Sequence, residues 1–128
     1  MTACCLCGHP HSTLFATVEG RRYLRCDACR LTFLSRAQLP DRAEEKRQYD
    51  LHRNDPDDAG YRRFLSQLAA PLTARLSAGA RGLDFGCGPG PALARMLEEE
   101  GFPMRIWDPI YADDPAVLER TYDFVTCT

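Results

Sequence analysis

The sequence predicts an α/β chain in two parts, a small metal-stapled β module followed by the opening of a doubly wound parallel sheet. Three observations carry this. Two Cys-x-x-Cys pairs, Cys4/Cys7 and Cys26/Cys29, stand within the first 29 residues. A glycine-rich turn, Gly86-Cys87-Gly88-Pro89-Gly90, lies between a short apolar run and a helical pattern. Beyond that turn, strand-like runs alternate with helical ones, the order expected of parallel strands joined by crossovers. The expected boundaries are 1–38 for the metal module, 39–80 for helices that link and cover, and 81–128 for the sheet.

Composition narrows the class. Of 128 residues, 45% are hydrophobic and 27% charged, with a formal net charge of −2, which is globular and too neutral for a dedicated polyanion binder. No run of 18 apolar residues occurs, which speaks against a membrane span. Residues 1–10 lack the basic and long apolar regions of a secretory signal. The cytoplasm is therefore the expected compartment, where the seven cysteines are not expected to form structural disulfides. Residues 1–48 hold eight basic and five acidic side chains and residues 49–128 hold eight and thirteen, so the two parts differ in charge as well as in cysteine.

In the first part, eighteen residues separate Cys7 from Cys26. A tetrahedral four-thiolate site takes two ligands from each of two tight turns, and a two-residue gap lets both sulfurs of a turn face one ion. Gly8 suits the turn after the first pair. Residues 13–18, 22–25 and 31–34 read as three short strands, the first two joined around Glu19-Gly20. The pattern is that of a zinc ribbon with structural zinc on Cys4, Cys7, Cys26 and Cys29. About forty residues bury too little apolar surface to fold unaided, so a metal is what the length demands. A redox role for either pair is the minor reading. Cys5 is a spare thiol or an alternative ligand, and His9 and His11 are read as surface residues because four cysteines fill the shell.

Between the parts, Asp41 and Glu44 have capping-box spacing before a helix over residues 43–51, which the cluster Asn54-Asp55-Pro56-Asp57-Asp58 ends. A second helix begins near Ala59 and buries Tyr61, Phe64, Leu65, Leu68, Leu72 and Leu76, with a kink or restart at Pro71 and a stop at Gly79. Tyr49 and His52, three apart, fall on one side of the first helix.

The glycine turn is the most informative stretch. Residues 83–85 form a short buried strand, and residues 91–100 a helix with Leu93, Met96 and Leu97 inward. Glycines there let a ligand approach the backbone where a Cβ would collide. Residues 104–107 form a second strand ending in Asp108, 22 residues beyond Gly86, a distance that suits a carboxylate accepting both hydroxyls of a ribose. Asp84 stands two residues before the loop. A carboxylate there repels a pyrophosphate, disfavouring a nicotinamide dinucleotide, and tolerates a cationic amino group such as the methionine half of S-adenosylmethionine. No Walker loop is present.

Asp84-Phe-Gly-Cys-Gly-Pro-Gly90 resembles motif I of class I S-adenosylmethionine-dependent methyltransferases, a Rossmann-like fold, and Asp108 matches their ribose-binding acid. With the ribbon, Tyr49-x-x-His52-x-Asn54 and Tyr61-x-x-Phe64-Leu65, the whole chain resembles a bacterial subgroup of these enzymes. The resemblance implies that Gly86, Gly88 and Gly90 cradle the methionine moiety and that Tyr49 and Tyr61 close over the cofactor. Cys87 belongs to the same loop, its side chain read as a small packed group. His52 is the one histidine outside the ribbon and the candidate base.

Residues 116–119 read as a short helix and residues 122–127 as another core strand, with Asp123 a polar flank and Cys127 a core thiol. Because such a catalytic domain carries further strands and the substrate pocket after this one, the chain reads as C-terminally truncated, with an open apolar edge. The leading expectation is a methyltransferase using S-adenosylmethionine and structural zinc, on a small-molecule or RNA acceptor. The alternative is a zinc-ribbon module that binds nucleic acid or a protein, joined to a vestigial nucleotide fold, with Arg21, Arg22, Arg25 and Arg30 as its contact face. A purely structural reading of the cysteines and glycines leaves the pairing of Asp84 with Asp108 unexplained.

Overall fold

The structure is a computed structural model that describes residues 2–52 and 55–128. Asn54, part of the upstream pattern, lies outside the described residues. Two compact units divide the chain at Ala43 and Glu44.

The first unit is an antiparallel sheet of β1 (Ser12–Val18), β2 (Arg21–Cys26) and β3 (Thr32–Leu34), in that order. Val18 pairs with Arg21 across a two-residue turn in which Glu19 and Gly20 both have positive φ, 49° and 77°. That conformation matches the right-handed twist of the strands it joins. Register shifts between Leu14 and Ala16, so Phe15 stands at a bulge. The described apolar residues that this unit buries are Leu24, Cys4 and Cys26, a very small core.

The boundary falls within α1 (Arg42–Asp50), a polar helix with no buried residue, most of which belongs to the second unit. Next comes α2 (Ala59–Thr73), whose start is set by Asp58: its side chain accepts from the Tyr61 amide at 2.6 Å. The sheet follows: β4 (Gly82–Phe85), α3 (Ala92–Glu99), β5 (Met104–Trp107), α4 (Pro115–Leu118) and β6 (Phe124–Thr126). Strand order is β5-β4-β6 with both pairings parallel, so the chain passes to one side of β4 and then crosses to the other. Such a reversal opens a crevice beyond the carboxyl ends of the strands. This is a mixed α/β chain: a ribbon-like unit with clustered cysteines followed by a Rossmann-like parallel sheet.

Leu65 and Ala69 of α2, with Ala92, Leu93, Ala94 and Leu97 of α3, pack with Phe102 and Met104 as the core, and Tyr61, Leu72, Leu76, Met96, Ile106 and Phe124 close around it. Three expectations need correction. Phe64 and Leu68 point outward, 65% and 40% exposed, because the buried stripe of α2 runs through Leu65 and Ala69. The helix neither breaks nor restarts at Pro71; the missing amide falls so near the C-terminus that the helix ends at Thr73, six residues short of Gly79. Cys127 is exposed rather than packed in the core, since it lies beyond the last residue of β6.

Gly82 is fixed by packing. A Cβ there would lie 2.6 Å from the Met104 Sδ and still closer to the Phe124 ring. Gly82→Ala is expected to cost roughly 1–3 kcal/mol by overpacking, read as a lower urea midpoint with an unchanged slope.

Candidate functional site

The two knuckles meet. The Sγ atoms of Cys4, Cys7, Cys26 and Cys29 all lie within 4.8 Å of one another, with Cys4–Cys29 at 3.6 Å and Cys7–Cys26 at 3.7 Å. A tetrahedron with Zn–S bonds of about 2.3 Å requires sulfurs about 3.8 Å apart, so the cluster fits a zinc-ribbon site. The two turns are built alike. The Gly8 amide donates to the Cys4 carbonyl at 3.0 Å and the Arg30 amide to the Cys26 carbonyl at 3.1 Å, and both residues have positive φ, 72° and 65°. Arg30, a side-chain-bearing residue in the left-handed region, is held there by this turn.

Local amides prepare some thiols for ionisation. Hydrogen bonding from the Cys7 amide leads in drawing the Cys4 pKa down to about 6, against desolvation, and hydrogen bonding from the Cys29 amide likewise leads in lowering that of Cys26. At Cys29 the Leu31 amide lowers the pKa, yet desolvation and the neighbouring Cys7, Cys4 and Cys26 sulfurs push it up to about 12. Four adjacent thiolates therefore call for a cation, and a bound metal removes that last proton outright. Cys5 is exposed and outside the cluster. His9 accepts from the His11 amide through Nδ1 at 3.2 Å and is not among the clustered ligands.

At the crevice, β4 delivers its chain into the glycine loop. Gly86 and Gly88 have φ of 77° and 66°, and a Cβ built on either would meet nothing within 4 Å. Both positions need glycine for their backbone and leave open space beside it. The loop is tied to β5: the Gly86 and Cys87 amides donate to the Trp107 carbonyl at 2.7 and 3.1 Å. Gly90 is buried where α3 begins, its carbonyl accepting from the Ala92 amide at 2.7 Å.

Asp108 sits at the tip of β5, 8% exposed. Its Oδ2 accepts from the Gly88 amide at 3.0 Å, and its Oδ1 from the Ile110 and Tyr111 amides at 2.8 and 3.0 Å. One carboxylate thus clamps the glycine loop to the turn after β5. A carboxylate offers about four lone pairs, so capacity remains for one further donor such as a hydroxyl.

Asp84 is the second buried carboxylate, 3% exposed. Burial pushes its pKa up, and the Thr126 hydroxyl, donating to Oδ1 at 2.8 Å, pulls it back. Tyr61 of α2 faces it: desolvation and then the Asp84 charge raise the phenol pKa. The Cys87 thiol lies near both carboxylates and is pushed up to about 11 by burial first and their charges second. Cys87 is thereby a poor nucleophile.

Sequence reasoning missed Tyr111. Its hydroxyl donates to Asp50 Oδ1 at 2.6 Å, and Lys46 pairs with Asp50 at 2.6 Å while lying 5.3 Å over the Tyr111 ring. Desolvation first, then Asp50, raises the Tyr111 phenol to about 12. Since the Tyr111 amide is bound to Asp108, this contact ties α1 to the turn after β5. Tyr49, also on α1, is close enough to add to the Tyr111 shift, and its ring is 6.3 Å from that of His52. His52 itself is exposed, in the turn after α1. The aromatic in the Pro109-Ile110-Tyr111 loop was the available signal for Tyr111; Thr126 had none before the strand order was known.

Asp84, Cys87, Gly86, Gly88, Asp108 and Tyr61 therefore gather at the carboxyl ends of β4 and β5. A concave loop flanked by two buried carboxylates can hold a ligand carrying hydroxyls at one end and a cation at the other. A cavity of about 520 Å³ lies at the opposite end of the sheet, against Arg81, Arg105 and Arg120, away from this crevice. Among the described residues no helix is long and apolar enough to cross a membrane. A family model described as a methyltransferase domain matches residues 58–128, more than half of the chain. No curated protein and no solved structure gives a significant match.

Proposed function

This chain belongs to the methyltransferase-domain family, and from that premise we propose that it transfers a methyl group from S-adenosylmethionine to an acceptor nucleophile, in the cytoplasm, with a structural zinc in its ribbon. The observation that carries the reading is the open glycine cradle of Gly86 and Gly88 between the buried carboxylates of Asp84 and Asp108.

Bound S-adenosylmethionine supplies an electrophilic methyl on a sulfonium. The residues would divide the remaining work. Asp108 accepts a ribose hydroxyl with the capacity its amide partners leave. The loop backbone of Gly86, Gly88 and Gly90, with Cys87 packed beside it, receives the methionine portion. Asp84 balances its ammonium, whereas it would repel a pyrophosphate. Tyr61 closes the side next to Asp84, and Tyr49 covers from α1. His52, beside Tyr49, is the candidate that takes the acceptor's proton. The acceptor is a small molecule or RNA. For RNA the ribbon offers a platform, because the exposed Phe15 ring carries the Arg25 guanidinium 3.7 Å above it.

Calorimetry on the zinc-loaded chain tests the reading. Saturable heat with S-adenosylmethionine and with S-adenosylhomocysteine is expected, and silence with both overturns it.

A further inference from the structure

We infer that Thr126 is a positioning residue: its hydroxyl holds Oδ1 of Asp84 so that Oδ2 is the oxygen presented to the ammonium of the methyl donor. This rests on the methyl-donor reading above and extends it to a residue on a different strand.

The geometry is specific. Parallel register sets Thr126 of β6 directly beside Asp84 of β4, on the same face of the sheet. Both are buried, 4% and 3% exposed, so neither exchanges its partner freely with water. The hydroxyl has two acceptors within reach, Asp84 Oδ1 at 2.8 Å and the Leu83 carbonyl at 3.5 Å, and the shorter contact takes its single proton. A β-branched side chain in a strand is restricted about χ1, which keeps that proton aimed. Among the described residues, Thr126 is the one hydrogen-bond donor to the Asp84 side chain.

A buried carboxylate without a cation drifts toward its neutral form. The ionisable groups facing Asp84 are Tyr61 from α2 and Cys87 from the loop, with Asp108 beyond Cys87. None of these is a cation; each would be neutral or negative. A hydrogen bond donated to the charged form thus favours the ionised carboxylate against burial and orients it before an ammonium arrives. Protonated, the same carboxyl would meet the ammonium as a neutral dipole and lose most of the attraction.

Two variants separate the hydroxyl from the shape. Thr126→Val keeps the branched outline and removes the proton donor; Thr126→Ser keeps the donor. The first measurement is the carboxyl-carbon NMR titration of Asp84 in the zinc-loaded full chain. Thr126→Val is expected to raise the Asp84 midpoint by about one pH unit, and Thr126→Ser to leave it near wild type. The second is calorimetry at pH 7 with S-adenosylmethionine and with adenosine, which lacks the amino-acid portion. Thr126→Val is expected to weaken the first about tenfold, more steeply as pH falls, and to leave adenosine unchanged. An unmoved Asp84 titration, or equal losses for both ligands, overturns the inference and makes Thr126 a packing residue. Wild-type protein that binds adenosine but not S-adenosylmethionine overturns the ammonium contact, whereas binding of neither overturns the methyl-donor reading itself.

Discussion

Replacing Cys26 by serine, or stripping bound zinc with a strong chelator, is expected to unfold the three-stranded ribbon. The sheet unit of residues 44–128 is expected to keep its fold, so the loss appears as a separate transition. The reasoning is one of size. Apart from two of the clustered cysteines, Leu24 is the apolar side chain that the described ribbon buries. One leucine contributes on the order of 2–3 kcal/mol, far below the entropy of ordering some forty residues. Metal binding contributes about 10–16 kcal/mol in comparable modules, enough to reverse the balance. Cys26 is the most damaging position because it is fully buried, its Sγ lies 3.7 Å from that of Cys7, and its backbone holds the second turn through Arg30 and Leu31. Zinc analysis should give one ion per chain for wild type and for Cys5→Ser, since Cys5 is exposed outside the cluster. Amide exchange in β1–β3 should lose its protection in Cys26→Ser. A Cys26→Ser protein that retains its ion and its protected ribbon amides contradicts this account.

The contrast between what the residues announced and what only three dimensions revealed follows from the range of each interaction. Local chemistry was legible. The helix start near Ala59, the hairpin at Glu19-Gly20 and each Cys-x-x-Cys turn are decided within a few residues, and the repeated spacing of the two turns is what announced that they meet. The glycine loop, the strand before it and Asp108 after β5 were readable for the same reason. Burial of the second helix was only half legible. Its large side chains suggested a broad apolar face, yet the buried residues of α2 are Leu65 and the small Ala69, while Phe64 and Leu68 remain outside. Alanine carries little pattern signal, so the true contact line was invisible. Pro71 misled because its cost depends on how many turns follow it, and here the helix stops two residues later. Thr126 and Tyr111 reach their carboxylates across 42 and 61 residues of chain. Such pairs depend on strand order and on where α1 lies, neither of which has a local signature.

Asp108→Ala is expected to lower affinity for S-adenosylmethionine at least 100-fold, about 2.7 kcal/mol, while the protein stays folded. Two losses combine. The ribose loses a charged acceptor, a bond of about 1.5–3 kcal/mol, and the Gly88, Ile110 and Tyr111 amides lose their shared partner. The loop then no longer holds the cradle in place before binding, and the cost of ordering it moves into the binding free energy. Folding survives because the main chain of Asp108 is independently paired: its amide donates to the Ala112 carbonyl at 3.2 Å and its carbonyl accepts from the Ala112 amide at 3.1 Å. Asp108→Asn divides the two roles. Its carbonyl oxygen can still serve the Ile110 and Tyr111 amides, but its NH2 group cannot accept from Gly88, so the turn persists and the loop is released. That variant should bind about tenfold more weakly than wild type, with amide exchange accelerated at Gly88 and not at Tyr111. Wild-type affinity in Asp108→Ala would remove Asp108 from the cofactor site and leave it as a clamp on the fold alone.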